Sequence, residues 1–316
     1  MKKLYVYVAN GIGNFIQMTP SLQSCYNMGF QIDAGVDMRY SRTTPLIDML
    51  GKCPFIKNVI KHPDKGFSFD KYDEVALFLT QEKCDITEAI KSYPGAKIYP
   101  IPDWKGSKIH ESQYYMQLPL SMGFNGHTPP IYCPTDKLFH VDNNKRRISI
   151  AMSCLKGYPW QNKRWDTKKW GKLIESILRY YGDIEICILG GKGEEEEIGD
   201  ILQGMLYNKN NIKDYAGKIS ITQSAKVISG SNILIAIDCG LSHIGAAVGA
   251  YVIVLFGPTL VSKNRQLTNE LSIVSAEIDC SPCQGTQNFS KCRNNICMRS
   301  LSVGDVFNEI RTSGKL

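Results

Sequence analysis

The sequence lacks any apolar run approaching the about 20 residues that a membrane-spanning helix requires. Its longest candidate, AAVGAYVIVLF, is interrupted by Gly249. Near the start of the chain, Asn10, Gly11 and Gly13 interrupt the apolar segment, and no small-residue cleavage site follows, so a secretory signal peptide is not predicted. We therefore expect a soluble chain that is not exported.

The chain also has only a small excess of positive charge. Lys and Arg number 37 against 30 Asp and Glu, and the net charge is +7. This balance permits an anionic partner without requiring one, and no stripe of interleaved aromatic and basic residues favours nucleic acid. The 11 cysteines are odd in number and mostly scattered singly through apolar segments, which favours a reducing compartment, the cytoplasm.

The complete dinucleotide-binding fingerprint is missing as well. Gly11 and Gly13 follow the first strand-like run, but no third glycine comes three residues later and no acidic residue is placed for a ribose. A hydride-transfer enzyme is therefore disfavoured. The two glycines could equally form an ordinary tight turn.

Strand-like and helix-like runs alternate along the whole chain, which is typical of α/β folds with parallel sheets. A chain of 316 residues exceeds the usual single domain, and the Pro-, Asp- and Asn-rich segment TPPIYCPTDKLFHVDNN separates two such series. We predict an N-terminal domain over residues 1–145, a C-terminal domain over 146–300 and a closing helix over 301–316. Both domains should be Rossmann-like.

The segment DCGLSHIGAAVGAYVIVLFGPT predicts a binding site for an anion. ILIAID is apolar enough to be a strand buried on both faces, and Gly240 lets the backbone turn into a helix that Leu241 starts. The N-terminus of that helix offers unpaired N–H groups and a partial positive charge of about half a unit. A phosphate or diphosphate would suit it.

Five motifs in succession resemble those of the heptosyltransferase family of glycosyltransferases, which includes the ADP-heptose:lipopolysaccharide heptosyltransferases. They are GIGNFIQMTPSLQ, MSCLKGYPWQNKRWDTKKWGKLIESI, ILGGKGE, the run from YAGKIS to LFGPT, and the closing CSPC…CM…SV pattern. The resemblance implies the GT-B architecture, in which two Rossmann-like domains face each other across a cleft. The first domain would bind the acceptor and the second the nucleotide-sugar, with the final helix packing back on the first domain.

This resemblance implies an inverting, metal-independent glycosyltransferase that needs no catalytic cofactor. It would move a sugar, with heptose a candidate, from an ADP-sugar or another NDP-sugar to lipopolysaccharide or another surface glycan. A lipid-linked acceptor would bring the enzyme to the inner membrane surface. Three alternatives stay open: a nucleic-acid base or a protein as acceptor, a non-catalytic glycan- or nucleotide-binding protein, and an epimerase.

The resemblance also assigns residues to the donor site. Lys163 would contact the diphosphate, Ser153 would offer a hydroxyl to it, and Glu194 would bind the ribose, with Glu195 and Glu196 as alternatives. Asp238 would hold a sugar hydroxyl or cap the helix, and His243 would bind phosphate or pack inside. The donor-binding residues are Ser153, Lys163, Gly190, Gly191, Glu194, Asp238, Gly240, Leu241, Ser242 and His243.

The acceptor side carries the largest departure from the family. Gly11, Gly13 and Gln17 would line the acceptor site, but Asn14 stands where family members carry an Asp that serves as the base. An amide can orient a hydroxyl but cannot take its proton. We therefore expect His110 to act as the base beside Asn14, with Glu111 and Asp37 as substitutes, although each could instead cap a helix or end a strand.

Four cysteines near the end of the chain have the spacing C-x2-C-x8-C-x4-C. Four thiolates at such spacing can form a tetrahedral zinc site that braces a loop. The alternatives are free thiols or disulfides formed on oxidation. The predicted ligands of this structural zinc are Cys280, Cys283, Cys292 and Cys297.

Overall fold

A computed structural model describes residues 1–9, 11–39, 43–79, 84–104, 109–152, 160–206 and 209–316. The chain divides into two compact units, Met1–Pro134 and Thr135–Leu316. Residues 135–145, which the sequence grouped with the first domain, lie with the second unit. They are held there by backbone hydrogen bonding, since the Asp136 amide donates to the Thr222 carbonyl at 3.0 Å.

The first unit is an α/β unit with a parallel sheet. Its strands are β1 (Lys2–Tyr7), β2 (Phe30–Asp37), β3 (Asn58–His62), β4 (Glu74–Phe78) and β5 (Lys97–Tyr99). Its helices are α1 (Ile12–Asn27), α2 (Thr43–Gly51), α3 (Asp85–Ser92) and α4 (Glu111–Ser121). The strand order is β3-β2-β1-β4-β5, so β1 lies at the centre, and its last four residues are all buried. Consecutive burial indicates that both faces of the sheet are covered.

The second unit repeats this plan around a longer sheet. Its strands are β6 (Arg147–Ala151), β7 (Glu185–Leu189), β8 (Ile212–Asp214), β9 (Ile233–Ile237), β10 (Tyr251–Phe256) and β11 (Leu271–Ser275). A 3-10 helix (Trp160–Lys163) precedes α5 (Thr167–Tyr181), α6 (Glu195–Gln203), α7 (Ile221–Ser229), α8 (Gly240–Ala247), α9 (Val261–Asn264), α10 (Gln287–Lys291), α11 (Ile296–Arg299) and α12 (Val303–Thr312). The strand order is β11-β10-β9-β6-β7-β8.

The predicted α/β class and the two parallel sheets are confirmed. In each sheet the carboxyl ends of the strands lie at one edge, and ligands of open α/β sheets bind at that edge. The closing helix α12 packs on α5, β10 and β11, with Val306 and Ile310 in the core of the second unit. Its predicted contact with the first domain stays a prediction. Within the described residues, we find no helix with the length and apolar character needed to span a membrane.

Candidate active site

The turn between β9 and α8 forms the centre of the candidate donor site. Gly240 and Leu241 lie in the first turn of α8, where an α-helix leaves its N–H groups without intrahelical partners, and both are only half-buried. Ser242 is fully buried, and its hydroxyl donates to the Cys239 carbonyl at 2.6 Å while accepting from Gln266 at 2.7 Å. The structure therefore gives the Ser242 hydroxyl a role inside the turn.

Lys163 reaches the same turn from the end of the 3-10 helix. Its Nζ lies 2.8 Å from Asp238 Oδ2 and 3.1 Å from the Asp238 carbonyl oxygen, and 5.3 Å from the centre of the Trp160 ring. The two charged side chains are 13% and 5% exposed. An ammonium group is thus fixed at the start of α8, where the helix itself carries partial positive charge.

Asp238 is ionised in this setting. Burial alone would raise its pKa, but the Lys163 ammonium, the electrostatic interaction with His243 and the hydrogen bond from Lys163 hold the pKa below its usual value. His243 is itself buried in α8. The structure thus brings Asp238, Lys163 and His243 together at one helix terminus, and their contact with a donor stays a prediction.

The loop after β7 carries the glycines predicted to lie near the nucleoside. The Gly191 amide donates to Glu194 Oε2 at 2.7 Å, and a Cβ at Gly190 would lie 2.7 Å from the same oxygen. Glycine at position 190 therefore makes room for the Glu194 carboxylate. Glu195 binds its own loop similarly, since it accepts from the Gly193 amide at 2.5 Å. A ribose contact by either glutamate stays a prediction.

The β6 strand lies between β9 and β7, so its carboxyl end shares the edge at which both loops lie. Ser153 follows this strand, but it lies outside the described residues.

In the first unit, the N-terminal turns of α1 and α4 meet. Asn14 Nδ2 donates to Glu111 Oε1 at 3.3 Å, and Gln17 Nε2 donates to Glu111 Oε2 at 3.4 Å. A Cβ at Gly11 would lie 2.8 Å from Asn14 Oδ1, so glycine there lets the amide lie over the turn. Gly13 lies in the first turn of α1. The structure therefore brings together Asn14, Gln17 and Glu111, of which Glu111 was only a substitute candidate.

His110 caps α4. Its Nδ1 accepts from the Ser112 amide at 3.1 Å, and its own amide donates to Gln113 Oε1 at 3.0 Å. The same nitrogen lies 2.9 Å from the Ser112 hydroxyl oxygen. The Nδ1 edge of the ring therefore faces the first turn of α4, as in the capping alternative.

The structure does not support the predicted zinc site at the four C-terminal cysteines. Over the residues that the structure describes, no group of three or more His, Cys, Asp or Glu side chains is arranged to hold a metal ion. Cys297 is buried against Gly257, whereas Cys280 is exposed and Cys283 is half-buried. Burial raises the pKa of Cys297 to about 11, and the neighbouring thiols contribute to the rise. The described side chains therefore give no support to a structural zinc at these four cysteines.

Two contacts at the donor site had no signal in the sequence. Gln266, which donates to Ser242, lies beyond β10 in a segment without a motif. Arg164, which the sequence alone could not distinguish from a solvated basic side chain, pairs with Glu197 of α6. Both contacts join residues more than 20 positions apart.

Comparison with known proteins gives a consistent result. Residues 132–293, just over half of the chain, match the sequence profile of glycosyltransferase family 9 (heptosyltransferase). Lipopolysaccharide heptosyltransferase 1 of Pseudomonas aeruginosa is 27% identical over 129 residues, which cover 41% of this chain and 35% of that protein. The match thus spans about a third of that relative's length.

Two solved structures resemble nearly the whole chain. One is the E. coli ADP-heptose lipopolysaccharide heptosyltransferase II, with a TM-score of 0.73 at 14% identity, covering 99% of this chain and 98% of that one. The other is the E. coli heptosyltransferase WaaC with ADP-2-deoxy-2-fluoro heptose, with a TM-score of 0.66 at 16% identity, covering 99% and 100%. At such identities the likeness establishes a shared fold, which is the GT-B arrangement of two parallel-sheet α/β domains.

Proposed function

The chain belongs to glycosyltransferase family 9, the heptosyltransferase family, and we propose that it transfers a heptose from an ADP-heptose donor to a hydroxyl group of lipopolysaccharide or a related surface glycan. The observation that carries the proposal is the Lys163 ammonium held 2.8 Å from Asp238 at the start of α8. The two similar E. coli enzymes are described with ADP-heptose or an analogue of it, which supports ADP-heptose as the donor.

The donor site matches the charge that this reaction develops. When the sugar leaves its nucleotide, negative charge grows on the diphosphate, and preorganised donors at that point stabilise the transition state. Lys163 would contribute a full positive charge, and the N–H groups of Gly240 and Leu241 would contribute the helix N-terminus. Asp238 would keep the ammonium in place. Because these groups supply the positive charge, the proposed reaction needs no metal ion.

The acceptor hydroxyl would attack the anomeric carbon on the face opposite the diphosphate. A single displacement inverts the configuration at that carbon, so we propose an inverting enzyme. The loop of Gly190, Gly191 and Glu194 would hold the nucleoside, and the turn of Gly11 and Gly13 with Gln17 would hold the acceptor. A lipid-linked acceptor would be met at the cytoplasmic surface of the inner membrane.

The donor is tested by calorimetry and thermal unfolding with ADP, UDP, GDP and CDP, followed by the matching heptose nucleotides. We expect ADP alone to stabilise the protein, since a ligand at one hundred times its Kd adds about 2.7 kcal/mol. Release of ADP from ADP-heptose with a truncated lipopolysaccharide should follow. Stabilisation by another nucleotide would show that the donor carries that nucleotide instead of ADP. No response to any nucleotide would contradict the proposed function.

Chelation tests the metal independence. With EDTA present throughout the assay, we expect kcat to stay within about twofold of its untreated value, because Lys163 and α8 stabilise the leaving group. A loss of activity that Mg²⁺ or Mn²⁺ restores would show that a divalent ion takes part in the reaction. ADP binding with and without EDTA serves as the control for the donor site.

A further inference from the structure

A buried carboxylate lies where the N-terminal turns of α1 and α4 meet. Glu111 is 6% exposed, and its Oε1 accepts from Asn14 Nδ2 at 3.3 Å and from the Tyr115 hydroxyl at 3.2 Å. Its Oε2 accepts from Gln17 Nε2 at 3.4 Å. These three donors are uncharged, and each bond is longer than the usual optimum. They fix the orientation of the carboxylate at the carboxyl edge of the sheet, where α/β folds bind ligands.

We propose that Glu111 is the general base of the reaction. This inference rests on the proposed function, because transfer to a hydroxyl group requires a proton acceptor near the attacking oxygen. In the step, the acceptor O–H bond breaks and its proton moves to the Glu111 carboxylate as the oxygen bonds to the anomeric carbon. The bond from that carbon to the diphosphate breaks, and its electron pair leaves with the diphosphate.

The other two candidate bases, His110 and Asp37, form hydrogen bonds with different groups. Nδ1 of His110 accepts the Ser112 amide at the start of α4. Asp37 is fully buried and bound by the Arg39 guanidinium, which donates from Nη2 at 2.7 Å and from Nε at 3.0 Å. Those hydrogen bonds from Arg39 hold the pKa of Asp37 below its usual value. A carboxylate paired with a guanidinium is a poor proton acceptor.

Asn14 is the positioning residue in this arrangement. It is half-buried in the first turn of α1, so it lies nearer to solvent than Glu111 while contacting its carboxylate. The amide of Asn14 and the carboxylate of Glu111 can be exchanged between the two positions with little change in side-chain volume. The chain therefore offers a direct test, in which the carboxylate is moved from position 111 to position 14.

The test compares Glu111→Gln, Asn14→Asp and the exchanged variant N14D/E111Q. We expect Glu111→Gln to lower kcat about 100-fold, within the range that a general base contributes. ADP affinity, measured by calorimetry, should change less than twofold, because the donor residues lie in the second unit. The exchanged variant should regain at least about tenfold of the lost kcat, since it again carries one carboxylate in contact with one amide.

A pH profile separates proton transfer from a structural role. For the wild type, kcat/KM should fall at acid pH as the base becomes protonated, and this fall should be absent from the residual activity of Glu111→Gln. A kcat within threefold of wild type in Glu111→Gln would overturn the proposal. So would an exchanged variant with no recovery and an unchanged acid limb.

Folding and donor binding keep these outcomes distinct. If Glu111→Gln does not fold, the exchanged variant is compared with the wild type directly, and a folded exchanged variant with kcat reduced 100-fold would also overturn the proposal. Failure of the proposed function would appear earlier, as wild-type protein that neither binds ADP nor turns over ADP-heptose.

Discussion

Replacing Lys163 by alanine should lower kcat by about 10²–10³-fold, the effect of removing one preorganised group from a site where charge develops. The ammonium lies 2.8 Å from Asp238 Oδ2 and is only 13% exposed, so water can replace it only poorly. Its removal would also leave the Asp238 carboxylate to repel the diphosphate. ADP affinity, measured by calorimetry, should therefore fall together with kcat.

Lys168→Ala is the matched control for this substitution. Lys168 is exposed in the first turn of α5, five residues along the chain, so its removal changes the same net charge away from the candidate site. We expect its kcat and ADP affinity to equal those of the wild type. If the Lys163→Ala variant folds and keeps the wild-type kcat and ADP affinity, Lys163 does not belong to the donor site.

Local signals made parts of the fold predictable. The sequence predicts a helix over residues 167–181, and α5 has these same bounds. Asp166 caps its start by accepting from the amides of Lys168 and Lys169, and Gly182 ends it with φ of +63°. The sequence after the first strand-like run predicts a helix that begins near Phe15, but α1 begins at Ile12. The turn of Gly11 and Gly13 opens the helix, because the Phe15 amide already donates to the Gly11 carbonyl at 2.9 Å.

The parts of the candidate site that could not be predicted from the sequence depend on contacts between residues far apart along the chain. Asn14 and Glu111 lie 97 positions apart, and Lys163 and Asp238 lie 75 apart. Spacing within a motif carries no information about such pairs. The family resemblance assigned Lys163 and Asp238 to one site because their motifs are known together. It gave no reason to choose Glu111 over His110, because the contacts of Asn14 and Gln17 with Glu111 appear only in the folded structure.

Replacing Glu185 by alanine should destabilise the protein by roughly 3–5 kcal/mol, the usual cost of removing one partner from a buried ion pair. The Arg147 side chain is 2% exposed, and its Nε donates to Glu185 Oε1 at 2.6 Å. Its other nitrogens donate to the carbonyls of Gly230 and Asp142, each at 2.9 Å. Without Glu185 the guanidinium charge would stay buried against neutral acceptors. Urea unfolding monitored by circular dichroism measures the loss.

The pH dependence of this loss identifies its electrostatic origin. Burial would raise the pKa of Glu185, but hydrogen bonds from Lys213 and Arg147 hold it below its usual value. Stability from a carboxylate of lowered pKa is present above its unfolded value of about 4.3 and is lost as pH falls through the folded pKa. The difference in free energy of unfolding between the wild type and Glu185→Ala should therefore narrow below about pH 4.

Glu277→Ala, at an exposed position, is the control and should change the free energy of unfolding by less than about 0.5 kcal/mol. A Glu185→Ala loss under about 1 kcal/mol, or one independent of pH, would mean that solvent reaches the Arg147 guanidinium and replaces the missing carboxylate.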